Sequence, residues 1–473
     1  MSNNLLGLVG SCAIETAILV KYDTEDFTGN ETDIKNLITA VNISESTYAT
    51  DMHVSMRVYD TIGLLENYPL IGEERIYLTI KEEITNVIIK LDLFLTRISN
   101  ITPHPSGNGV SYIIDLMTAS TFRANCRKVV APFKKLASEI CKDIFDQNYN
   151  KLVTEVMGDS IKDKVKLEVM EVIGGGGSSK YEILSLKDER SRSLTVEQSD
   201  IELQCVIPTL RANEAMTFIA NKAVNQTSSK SSSYKFFETK KGYIFATDEL
   251  LIRQAIKKED SKSVKKFTYN NSYDYKPEFV VDQAQKIKNI EILTYADTML
   301  DLYSGAYKSR FTELDVVYGR ALTVEFDASD AKNLFGGMGT SSTVNNGERH
   351  TPDFISTVFM PENAIEVFRV KDYDSINNVQ LPGEQLIGEK YLRSNSYETR
   401  MNSTQLRCTV DGRLDLSVGD VVDLIIPEMT TNDVKEISKK FAGKYLIREV
   451  TQQIEAKKLE TSFIMVKYGW EFE

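Results

Sequence analysis

Histidine is nearly absent from this 473-residue sequence. There are three, His53, His104 and His350, and none sits in an HExxH or other metal-ligand spacing. Tryptophan occurs once, as Trp470, so no Trp-lined sugar cleft is on offer. The five cysteines (Cys12, Cys126, Cys141, Cys205, Cys408) are odd in number and lack CxxC, which excludes a zinc ribbon and a disulfide framework. They are expected to pack as small hydrophobes in a chain assembled in a reducing cytoplasm. No apolar run approaches the roughly 18–20 residues of a membrane span, and the first residues carry no basic n-region. Neither a signal peptide nor stable membrane insertion is expected. Positive charge is also short: 56 Lys and Arg face 68 Asp and Glu, for a net charge of −12. That argues against sequence-specific nucleic-acid binding, which needs clustered cations, while an acidic wall would let DNA slide past without sticking.

The usual motifs of chemistry are missing too. "GGGGSSK" (174–180) does not continue into GxxxxGK[ST] and reads as a flexible joint. Asp372 and Asp374 have calcium-loop spacing, but Asn377 stands in the obligatory glycine place and Gly383 in that of the bidentate Glu. There is no GxSxG elbow. The 68 acidic residues offer only chance carboxylate pairs for hydrolysis. No catalytic, cofactor-binding or metal residue is assigned, no cofactor is expected, and the chain is read as a non-enzyme.

What is present is a normal globular composition, 42% hydrophobic and 9% aromatic, enough for roughly two to four domains. Residues 15–118 read as strands. In "RIYLTI", Ile76, Leu78 and Ile80 alternate with Arg75, Tyr77 and Thr79; in "IIKLDLFLTRI", Ile89, Leu91, Leu93 and Leu95 share a face. Pro69 and Gly72 turn the chain before Arg75, with Glu73 and Glu74 expected to be solvated at the bend. "TPHPSGNG" (102–109) reads as a loop before the returning strand.

From 119 the pattern changes. Pro132 opens a predicted helix with Phe133, Leu136, Ile140 and Ile144 on one stripe. A second helix is predicted over 212–224 with Met216, Ile219, Ala220 and Ala223 inward, followed by a hairpin turning at Lys240-Lys241-Gly242. Residues 330–350 read as a mobile loop. Near the end, "LDLSVGDVVDLIIP" (414–427) again places Gly-acid before a β-branched strand; a long strand, a loop and a returning strand follow. The order over 70–117 is the same. The predicted fold is α+β and β-rich: two similar antiparallel β-barrel domains at the chain ends and a mixed middle. The expected boundaries are 1–118, 119–360 (insertions near 145–200 and 320–360) and 361–473.

Four segments, in order, resemble the central hub proteins of tailed-phage baseplates, the T4-like hub family. In 44–80 they are Glu45-Ser46, Asp60-x-x-Gly63-Leu64 and Pro69-x-x-Gly72-Glu73-Glu74. In 205–251 an Ile-Pro precedes a helix, a Ser-rich loop follows, and the hairpin carries Phe236, Phe237, Glu238, Thr239, Gly242, Tyr243 and Phe245. In 295–317 the match lies at Asp297, Gly305, Tyr307, Ser309 and Arg310, and the final segment resembles the second tube domain. Together they span about half the chain; 145–200 and 320–360 have no counterpart.

The resemblance implies a homotrimer, each chain giving two barrels to a pseudo-six-fold ring in the virion tail baseplate, after assembly in the host cytoplasm. Such a ring would adapt a hexameric tube to a trimeric spike and enclose the channel for tape-measure protein and DNA. Implied partners are the tube or tube-initiator protein, a spike protein, the tape-measure protein and baseplate wedge proteins. The chain stops at "YGWEFE", so the spike is expected to be a separate protein. Alternatives are a tail-associated cell-wall hydrolase, a receptor-binding tail protein, and a hub of a phage-derived contractile injection system.

Overall fold

The computed structural model describes residues 10–22, 29–67, 70–150, 167–174, 179–186, 193–225, 233–259, 264–269, 285–327, 344–349, 355–359, 382–427 and 437–467, a few positions inside those ranges excepted. Alternating apolar residues near the N-terminus build β1 (Cys12–Tyr22), β2 (Gly29–Asp33), β3 (Ile38–Ser46), β4 (His53–Asp60), β5 (Arg75–Glu82), β6 (Ile88–Pro103) and β7 (Val110–Thr118). A single helical turn, α1 (Leu64–Asn67), precedes the Gly72 corner. One face of these strands is covered: Ile76, Leu78, Ile80, Leu91, Leu93 and Leu95 are all buried, as the period-2 pattern predicts.

The C-terminal segment supplies β22 (Thr404–Asp411), β23 (Val421–Ile425), β24 (Gly443–Glu455) and β25 (Lys458–Lys467). Two further strands, β15 (Lys265–Thr268) and β16 (Ile287–Tyr295), lie far back in sequence yet pair with this segment. The two halves are wired alike. The first unit runs β3-β4-β7-β6-β5-β1, and the second runs β16-β22-β25-β24-β23-β15.

The match extends to irregularities. The bulge between Leu95 and Arg97 on β6 recurs between Ile447 and Glu449 on β24. The bulge between Ile38 and Ala40 on β3 recurs between Ile287 and Asn289 on β16. Even the corner bonds correspond: the Leu95 N–H donates to Glu74 O, and the Ile447 N–H to Asp420 O, both at 2.9 Å. Bulges fix register, so shared bulges mean shared register. One difference is that β1 joins β5 antiparallel whereas β15 joins β23 in parallel. All these strands belong to one 13-stranded sheet that runs as an open path from β16 to β2; among the described residues it closes no barrel.

Between the units lie β8 (Lys128–Leu136), β9 (Leu167–Gly174), β10 (Ser179–Leu186), β11 (Ser193–Val196), β12 (Glu202–Arg211), β13 (Tyr234–Thr239) and β14 (Gly242–Thr247). With them are α2 (Ala119–Cys126), α3 (Ala137–Phe145), α4 (Ala212–Lys222) and α5 (Asp248–Glu259). Their core includes Ile140, Ile144, Phe145, Met216, Ile219, Phe236 and Phe245. Beyond them stand α6 (Thr298–Tyr303), β17 (Lys308–Asp315), β18 (Arg320–Asp327), β19 (Val344–Asn345), β20 (Glu348–Arg349), β21 (Ile355–Phe359) and α7 (Pro382–Met401). Leu392, Tyr397 and Met401 of α7 pack on Phe311, Val324 and Phe326.

Several expectations are corrected. The predicted helix over 131–146 begins only at Ala137: Pro132 and Phe133 lie in β8, paired with Val206 and Cys205 of β12. The tertiary ladder outweighs the local helical spacing. Glu74 is buried, not solvated, and accepts the Gly72 N–H at 2.9 Å. Residues 175–178 of the glycine run predicted as a joint lie outside the described residues. Pro103 closes β6, so the predicted loop starts later. Cys126 is exposed, unlike the other four cysteines. The helix predicted over 212–224 forms over Ala212–Lys222, with Ala223 already extended, and the hairpin turns at Lys240 as predicted. Most of 330–350, His350, the Asp372–Asn377 loop and Trp470 fall outside the described residues.

The joint between the two β units as candidate functional site

Strand β24 is longer than its partner β23. Its first residues pair with β23, and from Glu449 to Glu455 the same edge pairs with β3 of the first unit, Ser46 to Ala40. One strand thus belongs to both units. Ile454 and Leu459, at the tip of the β24–β25 hairpin, are 3% and 0% exposed and lie in the first unit's core.

Buried glutamates fasten this joint. Glu45 continues the inward phase of Val41 and Ile43 and is 2% exposed. It accepts the Lys240 N–H at 2.7 Å and the Val418 N–H at 3.0 Å, and the Lys240 ammonium lies 3.5 Å away. Three segments therefore meet on one carboxylate. Glu82 follows Ile76, Leu78 and Ile80 in phase and accepts the N–H groups of Arg413 and Leu414 at 2.7 and 2.9 Å. Glu238 of β13 accepts the Met52 N–H at 2.9 Å and the hydroxyl of Thr121 at 2.8 Å. Backbone donors at the joint are thus satisfied by buried glutamate side chains.

Beside them lies a buried charge cluster. Arg448 donates two hydrogen bonds to Asp248, at 2.8 and 2.7 Å, and Lys235 donates to Asp248 at 2.7 Å and to Glu398 at 2.5 Å. Burial alone would raise the Asp248 carboxyl, but Arg448 and Lys235 outweigh it and hold the group well below the usual carboxylate range. The Tyr48 ring lies 5.6 Å from each cation. Burial also pushes the Lys240 ammonium down, against the pull of Glu45. The hairpin β13–β14 and helices α5 and α7 meet β24 at this cluster.

The arrangement is structural: it fastens the two β units of the one sheet to each other and to the middle region. Among the described residues no cluster of three or more His, Cys, Asp or Glu could hold a metal. His53 is exposed on β4, 3.6 Å from Asp115, and His104 lies edge-on to Tyr59, so the two serve no common centre. A cleft of about 380 Å³ between β14, α5 and the Gly419 corner is lined by residues such as Ile244, Leu251, Gln254 and Val264. Among the described residues no helix is long and apolar enough to cross a membrane.

No protein-family model and no curated protein matches the chain. Solved structures do. A tail protein from Neisseria meningitidis MC58 is 11% identical, with 97% of each chain covered and a TM-score of 0.49. The 43 kDa tail protein of prophage MuSo2 from Shewanella oneidensis is 9% identical, covering 96% of this chain and 98% of that one at a TM-score of 0.45. An Escherichia coli component of the type VI secretion system, described as structurally similar to T4 bacteriophage tail proteins, is 9% identical and covers 91% of this chain and 74% of its own at 0.41.

The sequence signalled the duplication through its two corners. It did not mark β15 and β16 as parts of the second unit. The buried glutamates were missed as a site, although each of Glu45 and Glu82 stands where an alternating strand calls for an apolar residue.

Proposed function

We propose that this chain is a structural hub of a phage-type tail, working as a homotrimer whose two β units alternate around a pseudo-six-fold ring. The observation that carries this reading is the matched wiring of the two units, with two bulges in common and one unit already joined edge to edge to the other. A duplicated module joined head to tail is what a three-chain ring needs to present six similar positions. Closure of the open sheet into a tube wall is then achieved between chains rather than within one.

Such a ring adapts a six-fold tube on one side to a three-fold spike on the other and encloses a channel for the tape-measure protein and then DNA. The face of the sheet opposite the core supports a passage role: across the joint it presents Asn42, Ser44, Ser55, Thr451, Gln453 and Ser462. The same face carries Glu449, Glu455 and Glu460 beside Arg57, His53 and Lys458, so its few cations are matched by acids, and in a net acidic chain phosphates find little to hold. In this reading residues 1–118 form the first tube unit and 361–473, with β15 and β16, the second. The middle region braces them and carries the insertions. The hub sits in the tail baseplate, with tube, spike, tape-measure and wedge proteins as its contacts.

Sedimentation analysis tests the proposal. A mass near three times 53.4 kDa is expected, alone or with tube and spike partners. A monomer at every concentration, indifferent to both partners, would overturn it.

A further inference from the structure

The β8–β12 ribbon of the middle region carries charges that its own fold does not answer. Its ladder sets Val129 opposite Leu210 and Phe133 opposite Cys205, and this side faces the middle core. Opposed residues share a face, so the other side carries Lys128 with Arg211 and Pro132 with Val206. Val130 and Lys134 stand in phase with them. Lys128, Val130, Pro132, Lys134 and Arg211 are all exposed, Val130 to 63%.

Two cations directly opposite each other weaken a strand pair, and Lys128 and Arg211 are such a pair. Lys135, on the other phase, finds Asp143 of α3 at 2.6 Å. Lys128, Lys134 and Arg211 make no ion pair among the described residues. Glu214, the carboxylate nearest Arg211 in sequence, instead accepts the Arg211 N–H at 2.9 Å. Glu202 closes the far end of the face, opposite Leu136. In a chain of net charge −12, three unanswered cations around exposed apolar residues call for an anionic partner.

The shape of that partner follows from the prolines. The ribbon has two strands, and no described strand pairs with the outer edge of either. Pro132 of β8 and Pro208, in the bulge of β12, have no N–H to donate, so both edges discourage an added strand. The open surface is the face. We propose that this face docks an acidic amphipathic helix of another protein. Lys128 and Lys134 are six positions apart, about 20 Å along a strand. A helix of about 13 residues spans that length. Acids at one end meet Lys128 and Arg211, acids at the other meet Lys134, and the apolar stripe covers Val130, Pro132 and Val206. An anionic membrane or a nucleic acid would confront the whole net-acidic chain, whereas a short helix meets only this patch. The contact belongs to the middle region and stands apart from the ring reading.

The test uses the full chain and a fluorescein-labelled synthetic helix, with glutamates at both ends and a leucine stripe between them, read by fluorescence anisotropy. Binding is expected, weakening as salt rises. Lys128→Glu with Lys134→Glu should weaken it about tenfold or more. Lys128→Glu alone replaces opposed like charges by an ion pair, so its urea midpoint should rise while its affinity for the helix falls. A midpoint that drops instead would make Lys128 a structural residue and overturn the proposal. No binding by the wild type, or equal binding by the double variant, also overturns it, as does equal affinity for a helix with lysines at its ends. Vesicles of phosphatidylcholine and phosphatidylserine that bind the wild type as the helix does would assign the face to a lipid surface, against the proposal. A double variant whose sedimentation mass differs from that of the wild type would make the face a contact between copies, and overturn it too.

Discussion

Replacing Glu45 by glutamine tests whether the joint is fastened as described. The carboxylate and the Lys240 ammonium are each 1% exposed in their side chains, 3.5 Å apart, and Lys240 also reaches Leu416 O and, at 2.9 Å, Gln452 Oε1. In Glu45→Gln the amide oxygen can still accept one of the two N–H groups, but the buried ammonium loses the carboxylate charge 3.5 Å away. Removing one partner of a buried ion pair costs about 3–5 kcal/mol, so a loss of about 3 kcal/mol is expected. Adding Lys240→Met removes the stranded charge, and the double variant should recover to within about 1 kcal/mol of the wild type. The assay is urea unfolding by circular dichroism, with hydrogen exchange at the β3 and β24 amides to localise the effect. A single variant as stable as the wild type, or a double variant no better than the single, would refute the reasoning.

Other expectations follow from the same geometry. Gly419 has φ of +83°, and a Cβ there would meet Leu251 and Phe237 side-chain atoms at 3.3 Å, so Gly419→Val should cost about 1 kcal/mol or more in thermal unfolding. Gly242, with φ of +151°, packs against Ser193 O so closely that Gly242→Ala should detach the β11–β14 pairing, seen as faster exchange at Val196 and Phe245. Asp248 is held low in the fold, so its stabilisation is present above the unfolded carboxylate value of about 3.9 and is lost as pH falls through the folded one; Asp248→Asn should flatten the acid limb of stability below about pH 4. Burial lowers Lys390 to about 8, so the folded state resists its protonation and stability should rise as pH climbs from about 8 towards 10.5. Lys390→Met should remove that rise.

Strand phase was readable because period-2 alternation is a local property: Ile76, Leu78 and Ile80 announce β5 with no knowledge of its neighbours. The duplication was readable from the two acidic corners, Glu74 and Asp420, which make the same backbone contact to the following long strand. Partner choice was not. Nothing in "IKNIEILTY" says that it will lie beside Thr404–Val410, more than a hundred residues away, because that pairing is decided by the assembled core. Phe133 misled for a related reason. Its spacing to Leu136 and Ile140 suits a helix, yet the ladder with Cys205 claims it for a strand. The glutamate fastenings left a trace that could have been used: an acidic residue in the apolar phase of a strand is either an error of phase or a buried carboxylate with donors waiting. Glu45 and Glu82 are of the second kind.

The most direct test of the central claim is electron microscopy of the assembled protein viewed down its axis. Class averages should show a ring of six similar lobes around an open channel, with three-fold symmetry separating alternate lobes and no closed object built from a single chain. Particles with two-fold symmetry, or three lobes with no second set between them, would contradict the account.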